Sequence, residues 1–510
     1  DIFHISSAGI IPKSTGTVKV QFTDFLLYQL FFTAKAGFTR RKTMRLKTEF
    51  SGHRNKTRPI FESLRRDILA GRFHSGEKLP GSRALAQELG VSRGTINLVL
   101  AMLAAESLVE IAPGLPARVL PVAAPLEKIR RALPVHLSSW AKRLAPLENR
   151  SAVAFFSPGR LAEEYFPSVQ WQRAVKMAYR NAGTNRSLQY TSAAGYSELR
   201  KHIAAHLAYS RGLATKTENI VIVNGSTQAI ALIAQLLLDA QDYSAYEDPG
   251  FRGIRAAVHA TGARGVACPL DGEGMTLPKK ACRLLFVTPA SQFPTGIRMS
   301  HARRAALVSF AQTHNAFIVE DEYDSEFSRL PNAPQPLKLT DTEDRVIYVG
   351  SFSRTMFASL RLGYCVLPDA LVEPFLQARQ LYDAVPPALS DQMAMAAFMA
   401  AGAYRLHIAR MKKVYNERHR LLLAVLEENL GALFSFEPSA AGLSIFARWK
   451  RTRREFESTA KLFAEQGIAW HNIANYSAGR LPPAVLFGFS HLDTKAITAL
   501  GAKMRLLTTL

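Results

Sequence analysis

Apolar residues recur at helical spacing in three short segments early in the chain. In the first segment, five of them fall on one helical face: Ile60, Phe61, Leu64, Ile68 and Leu69. Gly71 follows and favours the end of that helix. A second helix is predicted over 82–90 with Ser82 as its N-cap, and a third begins after Ser92, which is placed to cap it.

The turn between the second and third predicted helices is tight and contains Gly90, a pattern typical of a helix-turn-helix. In that motif the second helix enters the major groove of DNA. The segment LVEI, a Pro113-Gly114 turn and the segment ARVL then predict a short β-hairpin. Three helices and a hairpin predict a winged helix over 57–121; the alternative is a helical hairpin with solvated arginines.

Seven polar side chains of this winged helix are candidates for DNA contact. Ser92, Arg93 and Thr95 lie in the first turn of the predicted recognition helix, where side chains and free backbone amides face phosphates and base edges. Four others could hold the flanking DNA backbone: Arg65, Arg72, Ser82 and Arg83. We therefore expect the winged helix to bind a double-stranded DNA operator.

Beyond residue 150, short apolar runs alternate with helical patterns, which is typical of an α/β fold with a parallel sheet and crossover helices. Strands are predicted in five segments: 219–225, 284–289, 316–321, 345–353 and 361–368. Helices are predicted over 227–238 and 301–313. The glycine-rich sequences of dinucleotide and nucleoside-triphosphate sites do not occur, so those ligands have no support.

Polar residues collect where the predicted strands end. Ser226 and Thr227 lie where a strand meets a helix N-terminus, which is a natural position for a phosphate. Asp321 closes a buried strand, and the next strand end has three more polar residues around it: Ser351, Ser353 and Arg361. A phosphate site beside a buried carboxylate suits pyridoxal phosphate, because the carboxylate keeps the pyridine nitrogen protonated. Taken singly, such residues are more often helix caps or turn formers.

Composition and charge sharpen the picture of the N-terminal part. The chain has 510 residues, of which 48% are hydrophobic and 21% charged, which excludes disordered and fibrous classes. The formal net charge is +23, and residues 1–150 hold +13 of it. This basic excess favours a polyanionic partner; a merely soluble basic protein is the alternative.

Several features bear on cell compartment and chain ends. The longest apolar run near the N-terminus, residues 25–32, is too short for a membrane helix and lacks the flanks of a signal peptide. Three cysteines without a CxxC pair argue against disulfides and against structural zinc, and they fit a reducing cytoplasm. No metal site is predicted.

The first methionine is Met44, so we interpret residues 1–43 as an upstream-extended reading of the gene and residues 1–56 as an extension outside the folded part. Residues 122–150, with three prolines, are predicted to be a linker.

Most of the winged helix, from TRPIFESLRRDILAG to LVLAMLAAESLVE, resembles the DNA-binding domain of the GntR family. The wing departs from that family, because Pro113-Gly114-Leu115-Pro116 stands where a Gly-Ser-Gly-Thr tip is usual. Further along, six segments occur in the order seen in fold-type-I aminotransferases: YTSAAGYSELRKHIAAHL, NGSTQAI, EDPGF, VTPASQFPTG, VEDEYDSEF and SFSRTMFASLRLGY. Joined to the GntR-like head, the chain is similar to the MocR subfamily of transcription regulators over roughly 57–510.

The resemblance implies a pyridoxal-phosphate-dependent aminotransferase fold over 151–510, serving effector binding and homodimerisation. The resemblance also implies that Ser226, Thr227 and Arg361 contact the phosphate and that Tyr190 reaches a phosphate across the dimer. It implies that Phe251 stacks on the ring, that Asp321 pairs with the pyridine nitrogen, and that Tyr323 contacts the ring hydroxyl.

One departure concerns the chemistry itself, because Arg354 stands where the family has its Schiff-base lysine. A lysine can supply a neutral amine nucleophile, whereas a guanidinium stays protonated to a pH of about 12. Three interpretations are open: a pseudoenzyme that has lost covalent capture, a sequencing or decay artefact, and an arginine that holds the cofactor without a covalent bond. We favour the first.

Three functions follow from these interpretations. The first is a DNA-binding transcription regulator whose aminotransferase-like domain has no transaminase activity and senses a small-molecule effector. The second is an active aminotransferase with a vestigial DNA-binding head, against which Arg354 counts directly. The third is a degraded gene product with neither activity. Retention of Ser92, Arg93 and Thr95 favours the first over the third.

Overall fold

The computed structural model describes residues 56–121, 136–144, 155–184, 192–330, 335–386, 388–437, 439 and 441–508. The chain divides into two compact units between Pro134 and Val135. Of the predicted extension only Lys56 is described, and Tyr190 and most of the predicted linker lie outside the described residues.

The first unit consists of three helices and a two-stranded hairpin: α1 (Thr57–Leu69), α2 (Ser82–Leu89), α3 (Arg93–Ala105), β1 (Val109–Glu110) and β2 (Arg118–Val119). The strands pair antiparallel with Val109 opposite Val119. Helices α2 and α3 are bent by 114° at their junction, within the range of a helix-turn-helix. Their apolar faces meet in one core around Leu64, Leu85 and Ile96, which are fully buried. The predicted winged helix is confirmed.

The helix ends of this unit agree only in part with the predicted caps. Ser92 caps α3 as predicted, since its hydroxyl accepts a hydrogen bond from the Thr95 amide at 3.1 Å. The prediction that Ser82 caps α2 is wrong, because Gly81 is the N-cap residue and Ser82 is already helical. A helical residue is not placed to accept from the next free amides, and the Ser82 hydroxyl instead accepts from Nε of Arg93 at 3.3 Å.

The second unit contains eleven helices among its described residues: α4 (Ser139–Arg143), α5 (Ser168–Thr184), α6 (Ser197–Arg211), α7 (Ser226–Leu237), α8 (Arg252–Thr261), α9 (His301–Thr313), α10 (Asp369–Gln380), α11 (Leu389–Ala400), α12 (Ala403–Leu430), α13 (Arg453–Glu465) and α14 (Thr494–Thr508). Its described strands are β3 (Ile220–Val223), β4 (Tyr243–Asp248), β5 (Arg264–Asp271), β6 (Gly274–Met275), β7 (Leu284–Val287), β8 (Phe317–Glu322), β9 (Val346–Ser351), β10 (Gly363–Val366), β11 (Phe434–Phe436), β12 (Ser444–Trp449), β13 (His471–Asn472) and β14 (Ala484–Gly488).

Eight of these strands form one sheet in the order β3-β10-β9-β8-β7-β4-β5-β6. The prediction of a parallel sheet holds for the run from β9 to β5 but is wrong for β10, which is antiparallel to both β9 and β3. The connection from β9 to β10, residues 352–362, contains no α-helix, so the chain turns back beside the strand it has just left.

Alternate residues of the central strands pack on opposite sides of the sheet. Ile220 and Ile222 of β3 join one apolar cluster, whereas Val221 and Val223 join another. Because β3, β4, β7, β8 and β9 run in the same direction, their carboxyl ends meet at one edge, where ligands of open α/β sheets bind. A second, antiparallel sheet has the order β11-β12-β14-β13.

The short helix α4 lies within the predicted linker. Its N-cap Ser138 accepts from the Ala141 amide at 3.1 Å, and Nε of Arg143 donates to the carbonyl of Ala260 in α8 at 3.1 Å. This part of the predicted linker therefore packs on the second unit. All three cysteines are buried and free, and no single helix in the described part of the chain is long and apolar enough to cross a membrane.

Candidate DNA-binding surface and cofactor site

The first turn of α3 brings several of the predicted DNA-contacting residues together. Ser92 and Arg93 are exposed, and the Ser92 and Thr95 hydroxyls lie 2.9 Å apart. The hydrogen bond from Arg93 to Ser82 joins the start of α3 to the start of α2, where Arg83 is also exposed. Free backbone amides, hydroxyls and two arginines therefore converge at one end of the helix-turn-helix.

The two remaining arginine candidates lie elsewhere in the first unit. Nε of Arg65 lies 2.5 Å from Oε2 of Glu106, just beyond the C-terminal end of α3 and about 20 Å along that helix from Arg93. Arg72, which is exposed, forms an ion pair with the half-buried Asp67 at 3.2 Å. The structure does not bring Arg65 to the first turn of the recognition helix.

The start of α7 forms a cradle at the carboxyl edge of the large sheet. Gly225 adopts the left-handed region at φ +82°, and a Cβ at this position would lie 3.2 Å from Nη2 of Arg361. Nη2 of Arg361 donates to the Asn224 carbonyl at 2.8 Å. The Ser226 and Thr227 hydroxyls and the first amides of α7 thus share one corner with a guanidinium, an arrangement that suits a phosphate.

The two serines at the end of β9 lie at the same edge. The Ser351 hydroxyl accepts from the Ser353 amide at 3.2 Å and lies 3.1 Å from the Ser353 hydroxyl. Register accounts for their position, because Gly363 of β10 pairs with Ser351 on one side and with Val223 on the other.

The buried carboxylate that the sequence predicts is Asp321 of β8, which is only 6% exposed. Its Oδ1 accepts no hydrogen bond from any described residue. The pKa of Asp321 is raised to about 7, mainly by burial and also by the negative charges of Glu322 and Glu247, against the positive charge of Arg354, which lowers it. An unpaired, buried acceptor of this kind is costly unless a ligand supplies the missing donor.

Aromatic side chains link Phe251 to Tyr323, which follows Asp321 by two residues. Phe251 precedes α8 and meets Phe293 edge-on at 6.3 Å, and Phe293 meets Tyr323 edge-on at 5.8 Å. Burial raises the pKa of Tyr323 well above its ordinary value, while a hydrogen bond to Ser291 acts in the opposite direction. Phe251 and Tyr323 are therefore connected through Phe293 in one aromatic group.

Arg354 is half-buried in the loop after β9. Its guanidinium lies directly against the backbone of Gly159, where a Cβ would come within 1.7 Å of Nη1. Its positive charge lowers the pKa of Asp321 and of Asp324, so it acts on both buried carboxyls. The side chain at position 354 offers a guanidinium and no primary amine.

Sequence reasoning missed three charged residues next to this site, of which Glu247 and Asp324 are buried and Arg329 is half-buried. Glu247 accepts from the Thr288 amide at 3.0 Å and from the Thr288 hydroxyl at 2.5 Å, and burial raises its pKa to about 7. Burial also raises the pKa of Asp324 to about 7. Arg329 donates to carbonyls of Ser439, Ala441 and Gly442, and burial lowers its pKa to about 10. The signal that the sequence offered for such residues was a charged residue inside or next to an apolar run, as in EDPGF and VEDEYD.

Two features of this site suit pyridoxal phosphate. The cradle beside Arg361 is left open by the absence of a Cβ at Gly225. The unpaired Oδ1 of Asp321 is an acceptor for a protonated pyridine nitrogen. The residues present therefore fit the phosphate and ring of that cofactor.

Comparison with known proteins agrees with the two units. Residues 56–119 match the family described as bacterial regulatory proteins, gntR family, and residues 163–484 match aminotransferase class I and II. The fold of the second unit resembles that of a Pyrococcus horikoshii kynurenine aminotransferase, with a TM-score of 0.64 and 21% identity over 74% of this chain and 96% of that one. An archaeal alanine:glyoxylate aminotransferase gives 0.65 and 23% over 73% and 97%.

Two curated relatives match most of the chain. The probable rhizopine catabolism regulatory protein MocR of Rhizobium meliloti is 31% identical over 86% of this chain and 91% of its own length. The HTH-type transcriptional regulator TauR of Rhodobacter capsulatus is 33% identical over 71% of this chain and 78% of its own. The chain therefore belongs to the GntR family of DNA-binding transcription regulators, and within it to the MocR type, in which the DNA-binding domain is joined to an aminotransferase-like domain.

Proposed function

We propose that this regulator binds pyridoxal phosphate without a covalent bond, has no transaminase activity, and binds its operator in a sequence-specific manner under the control of a small-molecule effector. It acts in the cytoplasm, where its DNA partner lies, and as a homodimer. The observation that carries the proposal is the pairing of an intact cradle and carboxylate with a guanidinium at position 354.

The residues that would hold the cofactor come from separate strand ends. Ser226, Thr227 and Arg361 would hold the phosphate together with the serines at 351 and 353, and Phe251 would stack on the ring. Tyr323 would contact the ring hydroxyl, and Tyr190 of the second protomer would reach the phosphate. When bound, the cofactor supplies an electron sink.

Asp321 would account for much of the affinity. Its Oδ1 is buried without a donor, so a protonated ring nitrogen would satisfy an acceptor that otherwise costs about 1–3 kcal/mol. The opposite charges would also favour the ionised form of a carboxyl whose pKa burial raises to about 7.

Arg354 would prevent covalent attachment while leaving reversible binding possible. A nucleophilic amine must lose its proton to attack a carbonyl, and a guanidinium keeps its proton at any physiological pH. The same guanidinium gives the pocket a fixed positive charge near Asp321 and Asp324. The site would then serve as a ligand sensor whose occupancy affects DNA binding.

The DNA-binding side of the proposal is supported by the exposed start of α3, with its hydroxyls and Arg93. Two such heads on a two-fold dimer would contact two half-sites, and their affinity would fall as salt rises because phosphate contacts release counterions.

Borohydride trapping tests the proposal. The native protein and Arg354→Lys are each mixed with pyridoxal phosphate, reduced with borohydride and mapped by mass spectrometry. We expect the native protein to bind the cofactor in equilibrium dialysis but to remain unlabelled, and the variant to be labelled at position 354. Arg354→Gln, which has no amine, is the matched control.

Two results would contradict the proposal. Labelling of the native protein at a lysine, with turnover of an amino acid and a keto acid, would favour an active aminotransferase. Failure of both proteins to bind pyridoxal phosphate in dialysis would mean that the pocket no longer accepts it.

A further inference from the structure

The recognition helix α3 has one continuous exposed face along most of its length. The side facing the core is buried through Ile96, Val99, Leu100 and Leu103. The opposite side follows the helical repeat, and its exposed positions are Arg93, Gly94, Asn97, Leu98, Ala101 and Ala105. Arg93 and Asn97 are one turn apart, as are Gly94 and Leu98.

The chemistry of this face suits base edges better than phosphates. Arg93 is its only charged residue. Asn97 is exposed, and its amide has no hydrogen-bond partner among the described residues. Leu98 is 54% exposed, so its aliphatic side chain is available to a partner at this face. A free amide beside an exposed aliphatic side chain matches the major-groove edge of an A·T pair, which offers a donor, acceptors and a methyl group.

Gly94 adds an independent observation. A Cβ at this position would meet only the Ser92 hydroxyl, at an ordinary contact distance of 3.6 Å, and its φ is not left-handed. Nothing within the fold requires glycine there, although glycine costs about 1 kcal/mol relative to alanine in a helix. The missing side chain lets a partner approach the backbone between Arg93 and Leu98.

We propose that Asn97 and Leu98 determine the sequence preference of this regulator by recognising an A·T pair in each half-site. The Asn97 amide contacts N6 and N7 of adenine, and Leu98 contacts a thymine methyl group. Asn97 lies four residues, or about 6 Å of helix rise, beyond Arg93 on the same face. The inference rests on the proposed sequence-specific binding of DNA and adds the residues and bases that produce it.

Base analogues test the proposal directly. Full-length native protein selects sites from a randomised duplex library at one fixed salt concentration. In the selected duplex, each adenine is then replaced in turn by 7-deazaadenine, which lacks N7, and each thymine by uracil, which lacks the methyl group. We expect one adenine per half-site whose replacement weakens native binding about 5- to 100-fold, and one thymine whose replacement weakens it about 4-fold.

Variants assign these effects to residues. Asn97→Ala should bind the normal and the 7-deaza duplex equally, and Leu98→Ala should bind the thymine and uracil duplexes equally. Asn97→Asp should change the selected base at that position from adenine towards cytosine, because a carboxylate accepts from the cytosine amino group. Gln87→Ala, which removes an exposed amide from α2, is the matched control and should keep the native preferences.

The outcomes separate this inference from the function beneath it. If Asn97→Ala keeps the native selected sequence and the native response to 7-deazaadenine, the assignment is wrong even though the protein binds DNA specifically. If the native protein selects no sequence, or if Arg93→Ala binds DNA as the native protein does, the proposed recognition by α3 fails as well.

Discussion

Asp321→Asn should make the second unit more stable at high pH and should remove part of its pH dependence. Asp321 is buried, and one of its oxygens lacks a donor. All influences together raise its pKa from the ordinary 3.8 to about 7 in the folded protein, and burial is the largest of them. Because the folded protein holds this proton more tightly than the unfolded chain does, its contribution to stability falls as pH rises from about 4 through 7.

The size of the effect follows from the two pKa values. Each unit of difference corresponds to about 1.4 kcal/mol, so ionised Asp321 costs about 4 kcal/mol above pH 7. Between pH 5 and pH 8 the change amounts to about 2–3 kcal/mol. Asparagine has nearly the same shape and does not titrate. The difference in unfolding free energy between the variant and the native protein should therefore grow by this amount over that interval.

Tryptophan fluorescence provides a selective assay, since all four tryptophans lie in the second unit: Trp140, Trp171, Trp449 and Trp470. Urea unfolding of both proteins is followed at pH 5, 6, 7 and 8, so that titrations shared by both proteins cancel. If the unfolding free energies of the two proteins changed with pH in parallel, the argument would be refuted. Asp321 would then not change its protonation between the folded and unfolded states, as a buried carboxyl with a raised pKa must.

The same measurement examines the proposed ligand. Saturating pyridoxal phosphate should stabilise the native protein, since a ligand that binds only the folded state adds free energy that grows with its concentration. Asp321→Asn should respond much less, because it cannot offer a carboxylate to the ring nitrogen. Pyridoxal without the phosphate is the matched control for the cradle at α7.

Three further predictions concern single contacts. Ser92→Ala should destabilise α3 by about 1 kcal/mol, because it removes the hydroxyl that caps the Thr95 amide, and hydrogen exchange across residues 93–105 would report it. Gly159→Ala should cost about 1–2 kcal/mol because of its φ of +85°, and its methyl group would in addition displace the Arg354 guanidinium. In a double-mutant cycle with Arg354→Lys the two changes should be non-additive, and additivity would contradict the contact. Arg211→Leu should cost about 3–5 kcal/mol in urea unfolding, because it leaves Glu322 buried without its partner at 2.9 Å, whereas the double replacement of both by leucine should cost less.

The sequence predicted most of the elements around the candidate site for local reasons. The segments 219–225, 284–289 and 316–321 each contain four consecutive apolar residues, and buried strands form there. The helix at 301–313 has the bounds that the sequence predicts. Ser92 caps α3 as predicted, because its hydroxyl reaches a backbone amide only three residues away. Such features depend on neighbours in the chain, which the sequence displays.

The remaining features depend on residues distant in sequence. The antiparallel return of β10 is decided by how the chain closes against β3, and apolar periodicity is the same for either direction. The contact of Gly159 with Arg354 joins segments nearly 200 residues apart, and no local pattern marks it. Likewise, Arg65 has a basic side chain near the recognition helix in sequence, yet tertiary packing places it beside Glu106.

The residues that would bind the phosphate come from several segments of the chain, whereas covalent attachment of the cofactor would involve a single position. Phosphate holding would involve the start of α7, the serines after β9 and the arginine before β10, so no single replacement removes the whole cradle. Covalent capture, in contrast, would depend on the single side chain at position 354. A protein built in this way can lose catalysis in a single mutational step and keep a shaped pocket, which leaves that pocket available for selection as a receptor.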